Sequence, residues 1–182
     1  MISVIRGDGE GKTEFVLTKA SEKEGKKYYI ATMRVKSDDD RTKVENQRKK
    51  REGFDFVTIE QDVAIVKAID KIKWMESLLG SADDRRVALI ENLQTLALNE
   101  MFLDDGEVVG HKDVENTVLF GIAFLKEFFD DIIIVTKDCD VNSVDWPMST
   151  GKEGKAEYIE AMKELNAAVN NFADEIFEAP FV

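Results

Sequence analysis

Two stretches, "RVALIE" at Arg86–Glu91 and "DIIIVT" at Asp131–Thr136, are short, almost uninterruptedly apolar and rich in β-branched residues. A strand with one wet face alternates apolar and polar residues. A continuous run instead fits a strand covered on both faces, as in a parallel sheet between two layers of helices. Ser3–Arg6, Lys27–Thr32, Asp55–Glu60 and Glu175–Glu178 read as further strands. Helical patterns separate them: Lys12–Lys23, Asp38–Arg51, Gln61–Leu79, Leu93–Phe102, Lys112–Phe129 and Lys155–Phe172. The last carries Ile159, Met162, Leu165, Val169 and Phe172 as a core stripe. This alternation predicts a doubly wound, mainly parallel α/β sheet flanked by helices, formed by residues 1–182 as a single domain. Ligands of such sheets bind beyond the C-terminal ends of the strands. The stretch Lys137–Gly154, with Pro147, Gly151 and Gly154, reads as a long surface loop.

The first strand runs into "RGDGEGKTEF", and a helical segment follows. Strand, glycine-rich turn, Gly-Lys-Thr and helix is the layout of a phosphate-binding loop, G-x-x-x-x-G-K-[ST]. Backbone N–H groups of such a loop point inward, and the positive end of the helix adds to them. Gly7, Gly9 and Gly11 let the backbone approach an anion. Lys12 would reach the β- and γ-phosphates of ATP or GTP, and the Thr13 hydroxyl would hold Mg²⁺. Two features depart from the pattern. Arg6 occupies the place of the first glycine, so either the loop starts one residue later at Gly7 or Arg6 adopts the required angles. Asp8 and Glu10 put negative charge where phosphate would sit. At a separation of about 6 Å and an effective dielectric near 20, each such repulsion is on the order of 2–3 kcal/mol unless the side chain turns away. Glu91, at the end of an apolar strand, is the candidate acid for the metal or its waters.

Composition excludes other classes. A formal net charge of −12 argues against a sequence-independent nucleic-acid binder. Arg48-Lys49-Lys50-Arg51 is the one basic cluster, either a solvated helix end or a phosphate-facing patch. No apolar stretch is long enough to span a bilayer and the start lacks a signal-peptide pattern, so the expected location is cytoplasmic. Cys139 alone makes no disulfide framework or cysteine zinc site, and reads as a half-buried residue after a strand. His111 reads as a loop residue without a metal role.

Further elements follow in order: "YYIATM", "FDFVTIE", "ALIENLQTLALNEMF", "IIIVTKD" and "LNAAVNNFADEIFEA". Together with the glycine loop they resemble, nearly end to end, the adenosylcobinamide kinase / adenosylcobinamide-phosphate guanylyltransferase family of cobalamin biosynthesis. Matched positions include Thr58, Glu60, Glu91, Thr95, Asn99, Phe102, Asn166, Ala173, Asp174 and Glu175, with Phe56 in place of a tryptophan. The resemblance implies a P-loop NTPase-like fold, often a homotrimer. It also implies phosphorylation of adenosylcobinamide by ATP or GTP, followed by transfer of GMP through a guanylylated histidine. By position, Gly7, Asp8, Gly9, Glu10, Gly11, Lys12 and Thr13 would form the nucleotide loop. Thr58 and Glu60 would line the nucleotide region, and Lys12 and Glu91 would be catalytic. The nucleophilic histidine's place falls at Asn46, Gln47 or Arg48, none of which forms a phosphoramidate as histidine does. The guanylyltransferase step is therefore expected to be lost. The family's glycine–proline turn is replaced by Asp140–Asp145, and its F-R-D element reads Tyr158-Ile159-Glu160. The alternatives are a non-catalytic or regulatory relative, and a P-loop kinase acting on another small alcohol.

Overall fold

A computed structural model describes residues 1–7, 11–79, 85–104, 106–139 and 151–180. Among these, six strands form one sheet: β1 (Ile2–Arg6), β2 (Lys26–Ala31), β3 (Phe56–Glu60), β4 (Arg86–Glu91), β5 (Asp131–Val135) and β6 (Glu175–Glu178). Their order is β3-β2-β4-β5-β1-β6, with every neighbouring pair parallel. The helices are α1 (Lys12–Ser21), α2 (Asp38–Arg51), α3 (Ala68–Leu79), α4 (Leu93–Met101), α5 (His111–Phe128) and α6 (Lys152–Phe172).

The apolar runs are buried on both sides, as their composition requires. Ile2, Val4, Tyr28, Ile30, Ala88, Ile90, Ile132 and Ile134 face one core, filled by residues of α3, α4, α5 and α6. Ile5, Tyr29, Val87, Leu89, Ile133 and Val135 face a second core with Val16, Leu17 and Ala20 of α1. Period-two alternation assigns Glu91, two residues beyond Leu89, to the face that α1 covers.

Three expectations change. The helix expected over Gln61–Leu79 starts later: Ala64 is left-handed (φ 47°), a 3₁₀ turn covers Ile65–Lys67, and α3 begins at Ala68. The carboxylate of Glu100 accepts from the Ala64 N–H, which fixes that turn. α6 begins at Lys152, earlier than Lys155, and Phe172 at the end of its stripe is 37% exposed. His111 is no loop residue but the first residue of α5. Its N–H and Nδ1 both meet the Glu157 carboxylate of α6, at 2.9 and 2.6 Å. Cys139 is half-buried just after β5, as its position suggested. Most of the expected surface loop, residues 140–150, lies outside the described residues.

Candidate functional site

The glycine loop leaves the sheet at the C-terminal end of β1, between β5 and β6. Arg6 is the last residue of that strand, not part of the turn. Its guanidinium reaches sideways to Glu178 of β6, with Nε donating at 2.8 Å. The left-handed backbone falls one residue later, at Gly7 (φ +127°), where a Cβ would lie 3.2 Å from Ala179 Cβ. Gly7 therefore supplies the glycine-only conformation that Arg6 does not. Asp8, Gly9 and Glu10 lie outside the described residues. Gly11 caps α1 without a side chain, and its carbonyl accepts from Phe15 N–H at 3.0 Å. Lys12 and Thr13 open the helix, at its positive end.

Glu91 closes β4, one strand removed from β1 across β5. Strand spacing makes that lateral separation about 10 Å, a distance a phosphate chain and its metal span. Glu91 is not a bare strand-end acid. Tyr29 Oη donates to its Oε2 at 2.9 Å. Burial, and then the Glu91 charge, hold the Tyr29 phenol far above its ordinary range, so it remains a donor. Over the Tyr29 ring, at 3.7 Å from the centroid, lies the Arg51 guanidinium, only 8% exposed. Arg51 thus departs from the solvated-end reading of the basic cluster, whereas Lys49 and Lys50 are exposed. Cation–π stacking and aromatic burial account for its place.

Behind these tips a buried hydrogen-bond network fixes the strand ends. Thr32 Oγ1 accepts from Asn92 N–H at 2.8 Å, and Asn99 Nδ2 donates to the Thr32 carbonyl at 2.8 Å. Thr136 Oγ1 donates to Asn166 Oδ1 at 2.6 Å, while Asn166 and Gln94 side-chain amides both donate to the Lys137 carbonyl. Asn99 and Asn166, matched by resemblance, therefore position backbone. Asn92 caps α4 by accepting from Thr95 N–H at 2.8 Å.

A cavity of about 310 Å³ adjoins these tips. Its walls come from the segment after β2, the start of α2, α4, Lys137 after β5, and Tyr158 of α6. Arg34 in this wall is held by Asp62 and Asp104, at 2.6 and 2.8 Å. Partial burial pushes the Asp62 carboxyl up, but the Arg34 bond and charge together with the Asp62 and Val63 backbone N–H groups keep it below its ordinary range.

Not every expected residue converges here. Thr58 and Glu60 lie on β3, the outermost strand, with three strands between it and β1. Asn46, Gln47 and Arg48 lie on α2, and Arg48 is ion-paired with Glu60. Tyr29 and Arg34 were not singled out from sequence as site residues; Arg51 entered only within the basic cluster, as one of its two readings, and Tyr158 only at the start of the altered F-R-D element. Only the tyrosine in "YYIATM" offered a signal, because a phenol next to a strand end can reach a carboxylate on the neighbouring strand.

Thr13 and Glu91 offer a hydroxyl and a carboxylate, hard oxygen donors of the type Mg²⁺ takes together with phosphate oxygens and waters. Among the described residues no group of three or more His, Cys, Asp or Glu is placed to hold a metal by itself. Such an ion would depend on nucleotide phosphates for the rest of its shell.

The parallel sheet flanked by helices, with the glycine turn after β1, is a P-loop NTPase-like fold. A solved structure of an ATPase domain superposes with a TM-score of 0.54 at 12% identity, covering 97% of this chain and 68% of that one. A second, "The Structure Of A DnaB-Like Replicative Helicase And Its Interactions With Primase", gives 0.48 at 12% identity, covering 85% of this chain and 45% of that one. No curated protein matches the chain. The family model for cobinamide kinase / cobinamide phosphate guanyltransferase matches residues 2–179, and the chain belongs to that family. It is thus a member of a nucleotide-binding enzyme family of cobalamin biosynthesis. No helix among the described residues is long and apolar enough to cross a membrane.

Proposed function

We propose that the protein is an ATP- or GTP-dependent kinase for the hydroxyl of adenosylcobinamide or a related small alcohol, and that it has lost the guanylyl-transfer step. The carrying observation is the placement of Lys12 and Thr13 at the start of α1 and of Glu91 on the same face of the sheet, one strand removed. Bound Mg²⁺ would offset phosphate charge, with Thr13 and Glu91 toward it. Lys12 would hold the β- and γ-phosphates in line. The acceptor oxygen bonds to the γ-phosphorus, the bond to the β–γ bridging oxygen breaks, ADP or GDP leaves, and the hydroxyl proton passes to solvent. Loss of the second step rests on α2, where Asn46, Gln47 and Arg48 stand in place of the histidine. The protein acts in the cytoplasm, with Gly7 to Thr13 and the more distant Thr58 and Glu60 lining the nucleotide of a homotrimer, a state that sedimentation measures. Incubation with ATP or GTP, Mg²⁺ and adenosylcobinamide should yield the phosphate ester but no GDP derivative and no acid-labile phosphoramidate. Equal inertness of wild type and Lys12→Ala would defeat the kinase reading.

A second reading, a non-catalytic relative, is favoured by one observation, the acidic Asp8 and Glu10 in the loop. Calorimetry with ATP and GTP separates the two: no binding at millimolar nucleotide supports the non-catalytic relative.

A further inference from the structure

We infer that Arg51 is a positioning residue for Glu91: its buried charge, stacked on the Tyr29 ring, strengthens the hydrogen bond that the phenol donates to the carboxylate. This role rests on the reading of Glu91 as the metal carboxylate, and it extends the site to the last turn of α2.

A surface helix ordinarily buries an apolar stripe. The 14 residues of α2 bury only Arg51. Arg48, one turn earlier, behaves as a helix-end arginine is expected to: it is exposed and paired with Glu60. Arg51 could do the same, because Glu52 and Asp55 are exposed close by in sequence and a long side chain can carry its head out to water. Instead its guanidinium is 8% exposed and lies 3.7 Å from the Tyr29 ring centroid, and among the described residues it makes no ion pair. Stacking offsets part of the desolvation of a guanidinium, yet a methionine or leucine would fill the same volume with no such cost. The place calls for charge as well as bulk.

The phenol connects that charge to Glu91. Arg51 lies on the ring face, while Oη at the ring's edge donates to Glu91 Oε2 at 2.9 Å. A cation on a ring face draws electron density from the ring, which makes the phenol O–H a stronger donor. Burial and then the Glu91 charge raise the Tyr29 phenol, and the Arg51 charge pulls it back down. Cation and carboxylate therefore act on one O–H from its two ends. The ring has little room to move: it is buried, with the Phe56 ring edge-on against it at 6.3 Å. Among the described residues the phenol is the one hydrogen-bond donor to the Glu91 carboxylate, so the strength of that bond sets where the carboxylate points. Arg51 acts through Tyr29 and is not itself catalytic.

The test uses the full chain carrying an NMR-active carbon at the tyrosine ζ position, first without metal or nucleotide. Tyr29→Phe assigns the Tyr29 resonance. Arg51→Met and Arg51→Gln each remove the charge, one with an apolar and one with a polar side chain, and melting temperature selects the neutral variant that folds. Arg51→Lys keeps the charge without the plane. The neutral variant should shift the Tyr29 resonance, Glu91→Gln should shift it too, and Arg51→Lys should shift it less than the neutral variant. In the kinase assay at saturating nucleotide, the neutral variant should raise the Mg²⁺ half-saturation about threefold, less than Tyr29→Phe because Arg51 acts one group further out. In the Tyr29→Phe background, where the ring remains and only the oxygen is gone, the same neutral substitution should add nothing. Three results overturn the role: the Tyr29 resonance ignores the neutral substitution, Arg51→Lys is no better than the neutral variant, or the half-saturation rises equally with and without the Tyr29 oxygen. Failure of the underlying reading looks different. Glu91→Gln would then leave the Mg²⁺ dependence unchanged, while the Tyr29 resonance would still report whether Arg51 sets the bond.

Discussion

Replacing Tyr29 with phenylalanine deletes one oxygen and leaves everything else around Glu91 in place. The ring is 4% exposed and stays packed in the α1-side core, under Arg51. What disappears is the 2.9 Å hydrogen bond to Glu91 Oε2. A net hydrogen bond contributes about 1 kcal/mol, and Glu91 is only half-buried, so water can replace the phenol there. For a chain of this size that corresponds to a fall in melting temperature of about 2–4 °C. The functional loss should be larger than the structural one. A carboxylate whose orientation is no longer fixed binds a metal about tenfold more weakly. Titrating Mg²⁺ into the kinase assay at saturating nucleotide should therefore give an about tenfold higher half-saturation in Tyr29→Phe. Glu91→Gln should weaken it further. If Tyr29→Phe melts lower but its Mg²⁺ dependence is unchanged, the hydrogen bond is structural alone and Tyr29 does not orient a metal-binding carboxylate; if Glu91→Gln also leaves the Mg²⁺ dependence unchanged, Glu91 is not the metal carboxylate. If neither quantity moves, the hydrogen bond contributes nothing.

Further expectations concern other parts of the sheet. Glu76, 8% exposed, accepts from Tyr28 Oη at 2.6 Å and from Arg86 Nε and Nη2 at 3.0 and 2.9 Å, so Glu76→Leu should cost about 2–3 kcal/mol in urea unfolding, less than a fully buried pair because Arg86 retains some solvent. The Arg86 bond depresses the Glu76 carboxyl below its ordinary range, so this stability is present above that range and is lost as pH falls through the depressed value, which acid unfolding of wild type against Glu76→Leu measures. His111 is raised by its bond to Glu157, so the α5–α6 contact is fully present below the ordinary histidine pKa and weakens as pH rises through the raised one; an NMR titration of the His111 ring follows it. In α5, a Cβ on Gly121 would lie 2.5 Å from Ile65 Cγ2, so Gly121→Ala should destabilise by about 1 kcal/mol despite alanine's better helix propensity, as a lower urea midpoint.

The strands were legible because their burial is written in composition. "RVALIE" and "DIIIVT" have no polar face to turn outward, and both lie in the middle of the sheet. Gly7 and Gly11-Lys12-Thr13 were legible because few residue types serve a turn that meets phosphate. Side-chain partnerships between distant segments were not. Arg51 reads as one more charge in "RKKR", and only the approach of α2 to Tyr29 turns it into a buried cation. Nothing local distinguishes Glu157, which accepts from the N–H of His111, from other acids of α6. The late start of α3 was equally hidden, because the Glu100 carboxylate that holds Ala64 comes from another helix. The cavity drew its wall from residues near 34, 43 and 137, whose convergence is set by sheet order.

That order also has a consequence for how the protein is made. β1 carries the glycine loop, yet it pairs with β5 and β6, strands built from residues 131–135 and 175–178. During synthesis the loop's own strand emerges first and finds its sheet neighbours last. β2, β3 and β4 can associate earlier, while β1 waits for most of the chain. Such distant pairings slow folding. A ribosome-bound chain that ends before β6 would leave Arg6 without Glu178 and Gly7 without Ala179 beside it, so ligand binding at the loop should appear only late in translation.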